Sequence, residues 1–345
     1  MSTSQRMIVA FALFFTGMGS FAYAEPKTPQ WVLDAKDFPE AKRLRAMLQQ
    51  PENKMDFGKF TLTIDNMIDP KFDVVVGMKR LDDMVAKIRA MLSTSPSNNE
   101  KLTALTKFLY GAGPWNDFRP FRYDFNDPMG TKLSNKLLQN YIASRNGNCV
   151  SMPVLFIILG ARLGLDMSAS TAPAHVLVKY TDPDTGTTYN LEATSGALPS
   201  RDEWYRQKMP MTDKAIANGL YLQKLTKKET AVVMADVLAE HYSQTRQFVK
   251  ALAIADILLE YYPKFVEVMP LKGHCYYQLL SSHFLQQYKT PNHIPINELD
   301  DYQYLSYNNQ FWFDKAESLG WRQPTQEHDE QYRKRMKRYA NKSPD

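Results

Sequence analysis

The hydrophobic and polar positions along this 345-residue chain follow two periods. Strand-like alternation is confined to the middle, where Ala174–Tyr180 is rich in β-branched residues and Thr187–Thr194 follows it. Helical spacing of apolar residues occupies most of the rest, in Trp31–Gln50, Asp65–Met91, Glu100–Tyr110, Leu133–Ala143 and Glu229–Pro263. The pattern predicts an α+β protein with a small sheet between two helical regions.

One predicted helix is apolar on nearly every side. Residues 149–163 read CVSMPVLFIILGARL, and a helix of this kind is buried in the middle of a domain. Pro153 lies early enough in the helix that its missing N–H costs little, and Gly164 suits a left-handed helix end. Asn148 is a favourable N-cap, so Cys149 is predicted in the first turn. There the helix dipole and the free amides favour a thiolate and could hydrogen-bond an oxyanion.

The two predicted strands bring a histidine and an acid to the same face of the hairpin. If the chain turns about the Pro183–Asp184 bond, His175 lies directly opposite Glu192, with Cβ atoms about 5 Å apart. A register shift of two residues would place Asn190 there instead, on the same face. Because either a carboxylate or an amide can orient an imidazole, Glu192 is the favoured partner and Asn190 the alternative.

A cysteine at a capped helix start, followed by a histidine and an acid on one hairpin, is the arrangement that activates a thiol nucleophile. Taken singly, a buried cysteine is usually an inert packing residue, and a lone histidine on a strand is usually structural. Their combination in this order favours a site in which Cys149 attacks a carbonyl and His175 acts as the base.

Four short motifs surround these residues. They are R-x-G-N-C-x-S at Arg145–Ser151, A-R-L-G-L at Ala161–Leu165, P-x-H-V-L-V at Pro173–Val178 and N-L-E-A-T at Asn190–Thr194. Together they resemble the transglutaminase-like superfamily, and more narrowly its bacterial branch with a helical lead and tetratricopeptide-type helices after the core. The resemblance implies a papain-like α+β core with a Cys149–His175–Glu192 triad. Glu192 stands where many transglutaminases carry Asp.

The resemblance and the changes of composition along the chain predict four segments. A signal peptide at 1–24 precedes an N-terminal helical region at 25–98, a transglutaminase-like core at 99–212 and a C-terminal tetratricopeptide-like all-α region at 213–345. Residues 93–99, STSPSNN, form the clearest linker in the first half. In the last segment, one helix pair and the start of a second are interrupted by an insertion around residues 288–307.

The first 24 residues have the composition of an export signal. Arg6 is the only charged side chain before an apolar run, and Ala22-Tyr23-Ala24 is a typical cleavage site. This run is too short to span a membrane, and no other stretch is long and apolar enough. The sequence therefore predicts a periplasmic or secreted protein that is cleaved after Ala24.

Charge and cysteine content exclude some classes of function. A net charge of +5 is too mild to indicate nucleic-acid binding, and the basic run at residues 333–338 is more typical of a solvated helix end than of a phosphate or membrane patch. Cys149 and Cys275 could pair in an oxidising compartment, but the motif around Cys149 favours a free thiol, and Cys275 is predicted to pack between helices. No cofactor or metal site is predicted, because the histidines lack ligand spacing.

The loop at residues 111–130 is dense in aromatic residues and precedes the helix that leads to Cys149. Trp115 and Tyr123 in this loop, together with Asn148, are candidates for a substrate groove; the alternative is that the aromatic residues only pack the loop. The favoured function is an exported thiol acyltransfer enzyme, an amidase, peptidase or transglutaminase, acting on a peptide or protein substrate. The alternatives are a non-catalytic scaffold that binds a protein partner through its helical regions, and a disulfide-stabilised structural protein.

Overall fold

A computed structural model describes residues 26–340 of the chain, so the predicted signal peptide at 1–24 lies outside the described residues. The α-helices of the described part are α1 (Gln30–Ala35), α2 (Pro39–Leu48), α3 (Phe57–Ile68), α4 (Val74–Arg89), α5 (Asn98–Tyr110), α6 (Leu138–Ser144), α7 (Ser151–Arg162), α8 (Asp202–Lys208), α9 (Asp213–Ala217), α10 (Lys227–Gln244), α11 (Phe248–Tyr261), α12 (Val268–Leu280), α13 (Leu299–Leu319) and α14 (Gln326–Ala340). Its strands are β1 (Arg122–Tyr123), β2 (Asn146–Gly147), β3 (Asp166–Ala172), β4 (His175–Thr181), β5 (Thr188–Glu192) and β6 (Leu198–Ser200).

The main sheet is antiparallel, with the strand order β3-β4-β5-β6, and β1 and β2 form a separate parallel pair. Helix α7 packs against β3 and β4, and every residue from Ser151 to Gly160 is buried. The helix ends as the sequence predicts, because Gly164 has a φ of +80° and the Leu165 amide donates to the Gly160 carbonyl. The predicted α+β class is confirmed.

The C-terminal helices pack in succession, α10 on α11, α11 on α12 and α12 on α13. Helix α10 also contacts α3 and β3, so one continuous hydrophobic core joins the N-terminal helices, the sheet and the C-terminal helices. The insertion predicted around residues 288–307 ends earlier, because α13 already begins at Leu299. Asp300 and Asp301 in the first turn of α13 complement the positive end of its dipole and favour this start.

The predicted helix at 133–143 is divided into two pieces. A 3₁₀ turn spans Leu133–Asn135, and α6 begins only at Leu138. The break has two causes: the Asn135 carbonyl accepts the Ser151 hydroxyl (2.7 Å), and the buried Asp65 carboxylate accepts the Gln139 amide (2.7 Å). Asp65 therefore supplies the cap that α6 lacks locally.

Candidate active site

Cys149 lies in the turn between β2 and α7. Gly147 is required here, since a Cβ atom at this position would lie 2.5 Å from the Tyr141 ring. The buried Asn148 accepts the amides of Val150 (3.0 Å) and Ser151 (3.2 Å) through its side-chain oxygen. The predicted cap by Asn148 is confirmed, but the regular helix starts only at Ser151, so Cys149 lies in the capped turn just ahead of α7 and not in its first turn.

The same cap changes the expected chemistry of the helix start. Because Val150 and Ser151 already donate their amides to Asn148, these two N–H groups are not available to an oxyanion. Asn148 itself is fully buried and does not line either cavity of the site. Its place in the structure is therefore that of a loop-fixing residue rather than the groove residue that the sequence suggested.

The sulfur of Cys149 lies 3.6 Å from the carbonyl oxygen of Ala174, the residue that precedes His175. Ala174 has a φ of +53°, so the chain makes a left-handed turn immediately before β4. Cys149 and His175 both line a cleft of about 400 Å³, and they are 6% and 8% exposed. The two side chains therefore lie at the bottom of one opening.

His175 and Glu192 form a buried hydrogen-bonded pair, with 2.9 Å between Nε2 and Oε2. Glu192 also accepts the Tyr205 hydroxyl (2.9 Å), the Thr194 hydroxyl (2.6 Å) and the Thr194 amide (3.1 Å). The carboxylate is thus fixed by four donors, and it holds the imidazole in one orientation. Of the four donor groups, the sequence predicts His175 alone.

The strand register that brings His175 and Glu192 together differs from the predicted register. The hairpin loop contains Pro183–Gly186, closed by the Asp182 amide on the Thr187 carbonyl, with Gly186 at a φ of +68°. A four-residue loop shifts the pairing by two relative to a turn at Pro183–Asp184, so Val178 opposes Leu191. Glu192 consequently meets His175 diagonally instead of directly across the ladder.

Asn190, the alternative partner, is directed elsewhere. It pairs with Lys179 across the ladder, and its side-chain amide donates to Asp202 at 2.6 Å. The structure therefore brings Glu192, and not Asn190, to His175.

The electrostatics of the pair favour charge separation. Burial alone would lower the pKa of His175, but the Glu192 carboxylate and the Cys149 sulfur outweigh it, and the pKa of His175 is raised. Burial also opposes ionisation of Glu192, yet His175, Thr194 and Tyr205 together lower its pKa. Both shifts favour the imidazolium–carboxylate form of the pair beside the sulfur.

Neither of the two aromatic groove candidates lines a cavity of the site, and they lie in different places. Tyr123 is buried near the site: its hydroxyl donates to the Pro128 carbonyl (3.0 Å), and burial together with the charge of Cys149 raises its pKa. Trp115 lines neither cavity, because its indole N–H donates to the Lys107 carbonyl (3.1 Å) and holds the loop down. Trp115 is therefore a packing residue, as the alternative interpretation expected.

The last helix, α14, contributes one wall of the site, and the motifs of the sequence did not predict this contribution. Tyr332 and Arg335 line the 400 Å³ cleft and also a neighbouring cavity of about 300 Å³ that contains His175 and Glu192. Met336, one residue further, is buried. Tyr332 and Met336 at a spacing of four residues, inside an otherwise charged segment, were the available signal for a packed helix face.

Cys149 and Cys275 are both free thiols, and the buried Cys275 sulfur lies 3.7 Å from the Ser243 hydroxyl. Between residues 26 and 340, no group of three or more His, Cys, Asp or Glu side chains is arranged to hold a metal ion. No helix of this part combines the length and the apolar character that a membrane crossing requires.

Comparison with known proteins relates this geometry to one family. The family model of the transglutaminase-like superfamily matches residues 77–236, from within α4 to within α10. No curated protein and no solved structure matches the chain significantly. The matched segment contains Cys149, His175 and Glu192. Residues 77–236 of the chain therefore form a transglutaminase-like superfamily domain.

Proposed function

We propose that this protein is an exported cysteine-dependent acyl-transfer enzyme with Cys149 as nucleophile, His175 as acid and base, and Glu192 as the residue that orients the imidazole. One observation carries the proposal: Cys149 and His175 line the same cleft, and Oε2 of Glu192 lies 2.9 Å from Nε2 of His175. The family supports the class of reaction, since a transglutaminase-like domain is compatible with cysteine-dependent acyl transfer or hydrolysis.

The proposed reaction starts from a thiolate beside an imidazolium. The sulfur of Cys149 attacks the carbonyl carbon of a peptide-type amide, and a C–S bond forms. As the C–N bond breaks, His175 gives its proton to the leaving amine, and a thioester remains on the sulfur. Because Nε2 of His175 is bound to Glu192, Nδ1 is the nitrogen that serves the sulfur and the leaving group.

The second half of the reaction releases the enzyme. Neutral His175 accepts a proton from an incoming water or amine, which attacks the thioester carbon, and the sulfur leaves. Water as acceptor gives an amidase or a peptidase, and an amine gives a transglutaminase. Glu192 keeps its charge throughout and stabilises the imidazolium each time that it forms.

The test is the reactivity of Cys149 towards iodoacetamide at pH 6, with the modified residue located by peptide mass spectrometry. An unpaired thiol is almost fully protonated at this pH, so a thiolate–imidazolium pair should react at least about tenfold faster than free cysteine. Cys275 is the internal control, because burial raises its pKa to about 12. Equal sluggishness of the two cysteines in the folded protein would contradict the proposal.

A genetic arm separates catalysis from the scaffold alternative. The Cys149→Ala protein should fail to restore the function of a deletion strain if the thiol is catalytic. Full complementation by this variant would favour a non-catalytic scaffold that holds a protein partner through its helices.

Export is a distinct part of the proposal, and it rests on the composition of residues 1–24. The measurement is the N-terminal sequence of the protein recovered from the periplasm or the medium. A start at Glu25 is expected; an intact N-terminus on cytoplasmic protein would refute export while leaving the thiol chemistry untouched.

A further inference from the structure

One face of α14 is turned towards the catalytic cleft. His328, Tyr332 and Arg335 are spaced by four and then three residues, which places them on one side of a helix, and all three line the cleft with Cys149. Met336 on this side is buried. Arg333, on the opposite side, is exposed and lines neither cavity. Arg333 therefore faces solvent, whereas Arg335 faces the cleft.

Contacts hold this helix in place over the site. The hydroxyl groups of Tyr332 and Tyr123 are 3.3 Å apart, which links α14 to the loop beside Cys149. The guanidinium of Arg335 lies 5.0 Å from the centre of the Tyr332 ring, and its Nη1 is 3.5 Å from the Lys208 carbonyl oxygen. Arg335 is thus half-buried in the cleft wall, and a guanidinium has five N–H donors, of which the contact with Lys208 uses only one, so others can bind a ligand.

The charged residues that line the cleft are mostly of one sign. Besides His175, the cationic side chains of Lys208, Lys334 and Arg335 accompany a single lining carboxylate, that of Asp329. A concave surface lined by one sign of charge raises the local concentration of ligands of the opposite sign. The rest of the lining includes apolar side chains such as Met129 and Met209, which suit the aliphatic part of a peptide.

We propose that this cleft selects acyl donors that carry a carboxylate next to the amide to be cleaved, and that Arg335 is the main specificity-determining residue. Arg335 presents a planar fork that matches a carboxylate, while Lys334 and Lys208 add less directional charge. The inference depends on the proposed function, because it concerns the substrate that reaches Cys149. It assigns the substrate class of the site to a helix that lies beyond the segment matched by the family.

The test compares two alkylating reagents that differ mainly in charge. Iodoacetate and iodoacetamide both form a C–S bond with Cys149 and release iodide, but only iodoacetate carries a carboxylate. The rate ratio of iodoacetate to iodoacetamide is measured for the full-length protein and for Arg335→Gln. We expect the ratio to fall roughly two- to fivefold in the variant, the effect of removing one partly exposed charge. High salt should lower the ratio of the unaltered protein, because about 1 M salt shortens the screening length to about 3 Å.

Matched variants separate local charge from total charge and from folding. Arg333→Gln removes the same charge from the same helix on its exposed face, and its ratio should equal that of the unaltered protein. Lys334→Gln, at an exposed position that folding tolerates, should lower the ratio less than Arg335→Gln. Circular dichroism establishes that each variant is folded.

The outcomes for the substrate class and for the catalytic proposal are distinct. An unchanged ratio in both Arg335→Gln and Lys334→Gln, with Cys149 still fast towards iodoacetamide, overturns the anionic substrate class and leaves the catalytic proposal intact. Slow reaction of Cys149 with both reagents in the unaltered protein overturns the catalytic proposal itself.

Discussion

The pairing of His175 with Glu192 can be tested by replacing Glu192 with Gln. The substitution keeps the shape of the side chain but removes its charge. If the Gln carbonyl takes the place of Oε1, it still accepts from Thr194, and the amide N–H₂ then takes the place of Oε2, facing both Nε2 of His175 and the Tyr205 hydroxyl. An N–H₂ group needs an acceptor, so the variant favours neutral His175 and removes the imidazolium that accompanies the thiolate.

The size of the effect follows from the contacts that are lost. A hydrogen bond to a charged group contributes about 1.5–3 kcal/mol, and here both partners are buried. Each 1.4 kcal/mol corresponds to a factor of ten, so the thiolate–imidazolium population should fall about 10- to 150-fold. The pKa of His175, which Glu192 raises in the unaltered protein, should fall in the variant.

The assay is the rate of iodoacetamide alkylation of Cys149 as a function of pH, in a Cys275→Ser background. Near pH 6 the rate of Glu192→Gln should fall by the factor above. Near pH 9 an unperturbed thiol ionises without help, so the loss there should be much smaller. The difference between the two pH values separates a lost ion pair from a general loss of structure.

Two further variants make the result decisive. Asn190→Ala should leave the pH profile unchanged, because Asn190 donates to Asp202 and not to His175. Glu192→Asp keeps the charge and should recover part of the rate near pH 6. If Glu192→Gln alkylates with the same pH profile as the unaltered protein, the pair has no influence on Cys149 and the reasoning fails.

Other predictions concern the supports of the site. Burial raises the pKa of Asp65 to about 7, above its value in the unfolded chain, so its contribution to stability is full below about pH 4 and is lost as the pH rises through 7. In Asp65→Asn, the free energy of unfolding should therefore decline by roughly 2–4 kcal/mol less between pH 4 and pH 8 than in the unaltered protein, as measured by urea unfolding. Tyr205→Phe removes one of the donors that fix the Glu192 carboxylate, so His175 is held less firmly and the rate of Cys149 alkylation at pH 6 should fall about two- to tenfold. Because Tyr205 lowers the pKa of Glu192, the pKa of Glu192 should be higher in this variant, which the acidic limb of the pH profile reports. Gly147→Ala should destabilise the protein by about 1–3 kcal/mol in thermal unfolding, because the added Cβ overlaps a buried ring.

The parts of the site that are local in sequence could be predicted from it. The apolar run at residues 149–163 can only be buried, which fixes α7 in the core, and the order of helix and hairpin follows from their periods. Glu192 was placed on the face of His175 because alternation along a strand preserves the face even when the register shifts by two. This is why a wrong turn position still gave the right partner.

The turn itself depended on details that composition does not contain. A two-residue loop at Pro183–Asp184 and the observed four-residue loop use the same turn-forming residues. The longer loop places Gly186 at a positive φ, which glycine adopts without strain, and the Asp182 amide closes it on Thr187. The choice between the loops is made by the ladder as a whole, in which Tyr180 pairs with Tyr189 and Thr181 with Thr188.

The contributions of the C-terminal helices could not be derived from the sequence, because they depend on contacts between residues far apart in the chain. Glu267, just before α12, accepts the Tyr221 hydroxyl (3.1 Å), and the nearby backbone amide of Ala174 partly offsets the rise in its pKa that burial causes. Ala174 is the left-handed residue before His175, and its carbonyl faces the Cys149 sulfur at 3.6 Å. A carboxyl group of the C-terminal helical region therefore lies beside the backbone segment that connects the Cys149 contact to His175. Since Glu267 and α14 both follow residue 236, where the family match ends, the helices that could have been only a docking surface instead form part of the support and one wall of the site.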